Sequence, residues 1–256
     1  MRKARLTNNL SNFALMSKLI IDHLTIGYRR HIVSGPLSGC FHDHGLTCLI
    51  GRNGLGKSTL LRTMAGIQPS FGGNILWESD KTMKPLTVND MPRDRVARLV
   101  SVVLTEKIDA LNLTAREIVG MGRLPYTGFF GRLTPDDERI IDQAMTLTGT
   151  LPFARRDITT LSDGERQKVM IARAIAQQTP VILLDEPTAF LDYESKSATL
   201  SLLRSIAHDM GKIVVASIHD LDIALRYADR FVTLTSNLKD VTTNELRKEI
   251  ASSETF

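Results

Sequence analysis

The stretch Gly51–Thr59, GRNGLGKST, restricts this chain more than any other, because Gly51, Gly56, Lys57 and Ser58 occupy every fixed position of the GxxxxGK[ST] phosphate loop. Such a loop works only between a strand and a helix, and both are legible. LTCLI (46–50) is short, apolar and β-prone, while TLLRTMAG reads as a helix stopped by Gly66. The glycines let backbone N–H groups bend inward around phosphate oxygens, the helix N-terminus adds partial positive charge, and Lys57 adds a full one. The Ser58 hydroxyl is left to hold Mg²⁺. A nucleoside triphosphate is the implied ligand and α/β the implied class.

Composition sets the frame around that loop. With 256 residues, 43% hydrophobic and 23% charged, the chain reads as ordinary soluble globular protein, in one large domain or two small ones. No apolar run is long enough to cross a bilayer, so any membrane role is expected to be peripheral. Residues 1–17 are basic and lack the apolar core of a secretory signal; they read as a loose, disordered extension, with Met16 an alternative start. A formal net charge of +4 is mild and selects neither nucleic acid nor lipid. Cys40 and Cys48 make no disulfide framework, and Cys48, inside the strand feeding the loop, reads as a buried reduced thiol, which favours the cytosol.

Ahead of the loop, LIIDHLTIGY (19–28) and a piece around Ile32 predict an antiparallel β section, with GPLSGC turning the chain. Tyr28 either stacks on a purine ring or closes a core edge. HDH (42–44) suggests a metal, but without further ligands nearby it reads as a polar hairpin tip. Beyond NILWE and DRVARLVSVVL, which passes from helix to strand, the character changes. A capping box at Thr114 and Glu117 opens one helix and Thr134-Pro135-Asp136-Asp137 another, so residues of about 108–160 read as a helical insertion. Between those helices, GRLPYTGFFGR is either a packed corner or an apolar docking surface, with Tyr126, Phe129 and Phe130 as its aromatics.

VILLDEP (181–187) predicts a buried parallel strand delivering Asp185 and Glu186 to its C-terminal edge, where open α/β sheets place ligands. Asp185 is the expected Mg²⁺ partner of Ser58, and Glu186 the general base for attacking water. His219 ends KIVVASIH at the same edge and is a candidate γ-phosphate contact. Helix and strand alternate to the end of the chain, where Thr242 and Glu245 form another capping box. Just before the acidic strand, LSDGERQK (161–168) opens a helix with Ser162 as N-cap and Glu165 completing its box; with Gly164, that helix end makes a second anion site.

Together these segments, from Lys18 to about Asn237, resemble the nucleotide-binding subunit of an ATP-binding cassette (ABC) transporter. The resemblance implies a phosphate-loop core with a mainly parallel sheet, an N-terminal antiparallel section and an inserted helical subdomain, all within one domain over 18–256. It implies ATP contacts from Tyr28, Gly51, Asn53, Gly54, Gly56, Lys57, Ser58 and Thr59, and catalytic roles for Glu186 and the switch residue His219. It also implies a head-to-tail homodimer in which Ser162, Gly164 and Glu165 close over the partner's ATP, with Ala189–Asp192 as a dimer-contact loop. Within the family, EIVGMGRLPYTGFFGRL and HDLDIALRYADR are similar to the ATPases of importers for iron siderophores, haem and cobalamin. Membrane permease subunits, a substrate-binding protein and a peripheral place on the cytoplasmic face of the inner membrane follow as expectations; nucleic acid does not. A soluble ABC ATPase acting on nucleic acid or ribosomes is the alternative, and NLKD (237–240) raises a GTP-binding switch with its lysine displaced by one position. The chain departs from the family pattern at Asp163 and Glu165, and at Thr105 and Glu106, which stand where a glutamine senses metal; either oxygen is a candidate ligand.

Overall fold

The computed structural model describes residues 17–79, 84–105, 112–128 and 131–251. Most of the expected N-terminal extension lies outside them, as do Glu106, Phe129 and Phe130. The chain opens with β1 (Lys18–Tyr28), β2 (His31–His42), β3 (Gly45–Ile50) and α1 (Lys57–Met64). Next come β4 (Gly72–Glu78), β5 (Leu86–Thr87), α2 (Arg93–Leu99) and β6 (Val100–Val103). The helical section holds α3 (Ala115–Gly120) and α4 (Pro135–Leu147), followed by α5 (Asp163–Ala176). The remainder alternates: β7 (Val181–Leu184), α6 (Tyr193–Asp209), β8 (Ile213–Ser217), α7 (Leu221–Tyr227), β9 (Arg230–Leu234), β10 (Leu238–Val241) and α8 (Thr243–Ala251).

The strands form two sheets. A four-stranded antiparallel sheet runs β2-β1-β4-β5, and a six-stranded sheet runs β10-β9-β3-β8-β7-β6, parallel except for the β10-β9 pair. The apolar run of β7 is explained by burial on both faces of the large sheet. Because successive side chains point to opposite faces, Val181 and Leu183 enter the core shared with the small sheet and α1, while Ile182 and Leu184 enter the core under α5 and α6. All four are fully buried.

Two expectations of the N-terminal section are corrected. GPLSGC does not turn the chain: it lies inside β2, where Leu37 pairs with Leu24 and Cys40 with Ile20. β2 is an edge strand, so Pro36 can sit there without its missing N–H breaking a ladder. Gly35 has φ 138°, and a Cβ there would lie 2.7 Å from the Thr25 backbone, so its glycine serves close strand approach. Nor is HDH a hairpin tip, since β2 belongs to the small sheet and β3 to the large one. Asp43 is buried at this crossover, and its carboxylate accepts the Ser17 N–H at 2.7 Å.

In the helical section both expected caps form: the Thr114 hydroxyl accepts the Glu117 N–H, and Thr134 accepts that of Asp137. The buried Arg123 ties the section to the rest, donating to Asp137 Oδ1 at 2.8 Å, to the Ala176 carbonyl at 2.8 Å and to Gln178 Oε1 at 3.0 Å. Tyr126 closes this corner. Its ring lies 4.2 Å from the Arg123 guanidinium, and its hydroxyl donates to the Gln177 carbonyl.

Candidate nucleotide site

The phosphate loop leaves β3 through backbone that only glycine adopts comfortably. Gly51 has φ 148°, and a Cβ there would lie 2.8 Å from the Leu234 carbonyl oxygen. Gly56, at φ 100°, caps α1 without a side-chain bond, so the first amides of that helix face outward for an anion. Lys57 folds back over the loop, its Nζ donating to the carbonyls of Gly51 at 2.6 Å and Arg52 at 3.2 Å. Burial lowers the pKa of its ammonium, against the opposing pull of Glu186 and Asp185. Asn53, Gly54, Gly56, Lys57, Ser58 and Thr59 line an open cleft of about 350 Å³, with Val33 on one wall and Glu186 on the other.

The carboxylates arrive from β7. Ser58 Oγ donates to Asp185 Oδ1 at 3.0 Å, joining the loop to the acidic strand across 127 residues of sequence. Ser217, the last residue of β8, donates to the same Oδ1 at 2.8 Å, and its hydroxyl accepts the Glu186 N–H at 2.8 Å. That second bond holds Glu186 at φ 47°, the left-handed region that a residue with a side chain rarely enters. His219 Nε2 lies 2.6 Å from Glu186 Oε1. The Ser58 hydroxyl and the Asp185 carboxylate are hard oxygen donors of the kind Mg²⁺ takes while keeping several waters, so the donor set fits that ion.

Of the other expected site residues, one meets the acidic strand and the rest of those described lie outside this cleft. Thr105 Oγ1 donates its proton to the Asp185 carbonyl at 2.8 Å, which engages it with the acidic strand's backbone; Glu106 lies outside the described residues. Tyr28 ends β1, 55% exposed, with the Arg29 guanidinium 5.4 Å from its ring, and does not line the cleft. Ser162, Gly164 and Glu165 also lie off the cleft, at the start of α5. Their capping box is formed: Ser162 N donates to Glu165 Oε2 at 2.9 Å, and Glu165 N donates to Ser162 Oγ at 3.2 Å. The backbone N–H of Ser162 is the main cause holding the Glu165 carboxyl below its ordinary pKa. In the loop before α6, Phe190 is 78% exposed at φ 63°, and Asp192 caps that helix through the Ser195 N–H. Asn237, the first residue of the guanine-like NLKD, uses its side-chain oxygen to accept the N–H groups of Ser38 and Leu238. Among the described residues no three His, Cys, Asp or Glu side chains are grouped to hold a metal.

Sequence reasoning missed Ser217. Its signal was available: a lone hydroxyl in the apolar run KIVVASIH, two residues before His219.

A phosphate loop, an acidic strand end and a histidine on neighbouring parallel strands define a phosphate-loop nucleotide triphosphatase. Residues 35–189 match the ABC transporter family. The chain is 36% identical over 220 residues to the iron(3+)-hydroxamate import ATP-binding protein of Bacillus subtilis (strain 168), covering 86% of this chain and 79% of that one. It is 43% identical over 192 residues to the cobalamin import ATP-binding protein of Halobacterium salinarum (strain ATCC 29341 / DSM 671 / R1); the match takes in 75% of this chain but 46% of that longer relative. Among solved structures it resembles a chain of a metal-chelate type ABC transporter in an inward-facing conformation, with TM-score 0.74, 27% identity, and 90% and 84% of the two chains covered. The chain belongs to the ABC transporter family, as one of its ATP-binding cassettes. No helix among the described residues is long and apolar enough to cross a membrane.

Proposed function

We propose that this chain is the ATP-hydrolysing subunit of an importer for an iron chelate (siderophore), haem or cobalamin. It would act as a homodimer beneath two permease subunits at the cytoplasmic face of the inner membrane, with a substrate-binding protein delivering cargo. The observation that carries the reading is the placement of Glu186 across the cleft from Lys57, fixed by Ser217 through its backbone and by His219 through its carboxylate. The names of the import relatives support the cargo class and do not favour a soluble cassette working on nucleic acid.

In this reading the loop amides and Lys57 hold the triphosphate, and Tyr28 stacks on the adenine. Magnesium, when bound, would neutralise phosphate charge, held by Ser58 and Asp185. Glu186 accepts the proton of the water that adds to the γ-phosphorus while the bond to the β-phosphate oxygen breaks, and His219 keeps the carboxylate aimed. Ser162, Gly164 and Glu165 close over ATP held by the other subunit, and the Tyr126 corner meets the permease. Glu186→Gln is expected to lower turnover by about 10²–10⁴-fold while ATP binding persists and an ATP-dependent dimer accumulates. Phosphate release and size-exclusion chromatography check this; undiminished hydrolysis removes Glu186 from the role of base.

A further inference from the structure

The start of α5 carries two carboxylates, Asp163 and Glu165, in its first turn. Under the dimer reading above, on which this inference rests, that helix end must approach a partner's triphosphate, and two uncompensated negative charges there would repel it. The geometry supplies a compensation. Arg166 Nη1 lies 3.1 Å from Asp163 Oδ1, and Arg156 Nη1 lies 3.4 Å from Glu165 Oε1. Each guanidinium is also anchored to the backbone that leads into the helix: Arg166 Nη2 donates to the Leu161 carbonyl at 3.1 Å, and Arg156 Nη2 to that of Thr160 at 2.7 Å. Two carboxylates thus face two guanidiniums held in place from behind, and the formal charge of the four groups sums to zero.

The same contacts redirect the serine. Ser162 Oγ donates its proton to Glu165 Oε2 at 3.0 Å, so the hydroxyl points into its own capping box. Helix geometry leaves the first-turn amides of Asp163 and Gly164 to meet an anion, and their usefulness depends on the charge around them. We propose that Arg156 and Arg166 are positioning residues that neutralise the acidic signature segment of this chain and thereby permit ATP-dependent closure of two copies. Both pairs are partly exposed in the single subunit, with side-chain exposures of 48% and 33% for Arg156 and Glu165 and of 23% and 48% for Arg166 and Asp163. Solvent screens them there and they add little to its stability. Closure over a triphosphate strips that solvent and makes the balance count.

The test uses the full chain carrying Glu186→Gln, with ATP and Mg²⁺, and reads the dimer dissociation constant by analytical ultracentrifugation. Arg156→Gln and Arg166→Gln are each expected to weaken the ATP-dependent dimer by about tenfold or more, since unpaired interfacial charges carry penalties of that order. Nucleotide affinity at the phosphate loop stays unchanged. Adding Glu165→Gln to Arg156→Gln, or Asp163→Asn to Arg166→Gln, restores the dimer, as does Arg156→Lys in place of Arg156→Gln. If Arg156→Gln and Arg166→Gln dimerise as tightly as the parent, or if the second substitutions restore nothing, the compensation is wrong while the dimer stands. A parent that stays monomeric at saturating ATP overturns the dimer reading and this inference with it.

Discussion

Deleting a single hydroxyl, in Ser217→Ala, separates the positioning of the carboxylates from the binding of nucleotide. Ser217 is fully buried, and its Oγ makes two bonds of 2.8 Å, one donated to the Asp185 carboxylate and one accepted from the Glu186 N–H. The alanine variant leaves that N–H without its acceptor, at about 1–3 kcal/mol, and removes one charge-assisted bond worth about 1.5–3 kcal/mol. Asp185 retains the Ser58 donor, so the two losses overlap and a total near 3 kcal/mol is expected. The backbone of Glu186 at φ 47° is also released, and left-handed geometry costs about 1–2 kcal/mol that the bond no longer offsets. Relaxation swings the carboxylate from its place, and a displacement of about 1 Å costs on the order of 100-fold in turnover. Nucleotide affinity is expected to hold, because Lys57 and the loop amides do not touch residue 217. Denaturant unfolding, equilibrium ATP binding and steady-state phosphate release measure the three quantities separately. Ser217→Thr supplies the contrast: it keeps the hydroxyl and recovers turnover, while its added methyl in a fully buried position lowers stability. Wild-type turnover in Ser217→Ala, or an unmoved unfolding midpoint, refutes the argument.

Three further outcomes follow from groups away from the cleft. Arg123→Ala strands the buried Asp137 carboxylate and two backbone or amide acceptors, and is expected to cost about 3–5 kcal/mol in denaturant unfolding. Hydrogen bonds from Thr134 and the Arg123 guanidinium depress Asp137 from 3.8 to about 2. A depressed carboxyl stabilises the fold above its unfolded pKa and loses that contribution as pH falls through its folded one, so about 2 kcal/mol should disappear between those values and Asp137→Asn should flatten the change. Burial raises the Cys48 thiol to about 12, so it is protonated at pH 8; iodoacetamide should label the half-buried Cys40 first and reach Cys48 only on unfolding, followed by mass spectrometry.

Much of this architecture is written locally. The capping boxes at Thr114, Ser162 and Thr242 are readable because their partners sit three residues away, and each forms. Gly66 and Gly211 stop their helices in left-handed backbone for the same local reason. The errors arise where distant strands decide. Gly35-Pro36 carries every mark of a turn, yet β1 pairs along this stretch, and the position of β2 at a sheet edge removes the usual objection to proline. Ser217 escaped notice because its importance comes from ending β8 beside β7, the strand that delivers both Asp185 and Glu186, a relation no window of sequence displays. The pairing of Arg156 with Glu165 spans nine residues and a change of chain direction, so charge pattern alone could not assign it.

Strand order has an outcome for anyone transplanting this chemistry. β3, which feeds the phosphate loop, and β7, which ends in the carboxylates, are separated by β8. At about 4.8 Å per strand their axes lie nearly 10 Å apart, a distance that the Ser58 and Asp185 side chains close to 3.0 Å. The intervening strand finishes in Ser217, whose short buried side chain reaches both the Asp185 carboxylate and the Glu186 N–H. A scaffold that placed loop strand and acidic strand side by side would inherit both motifs but lose the buried hydroxyl that fixes the carboxylates.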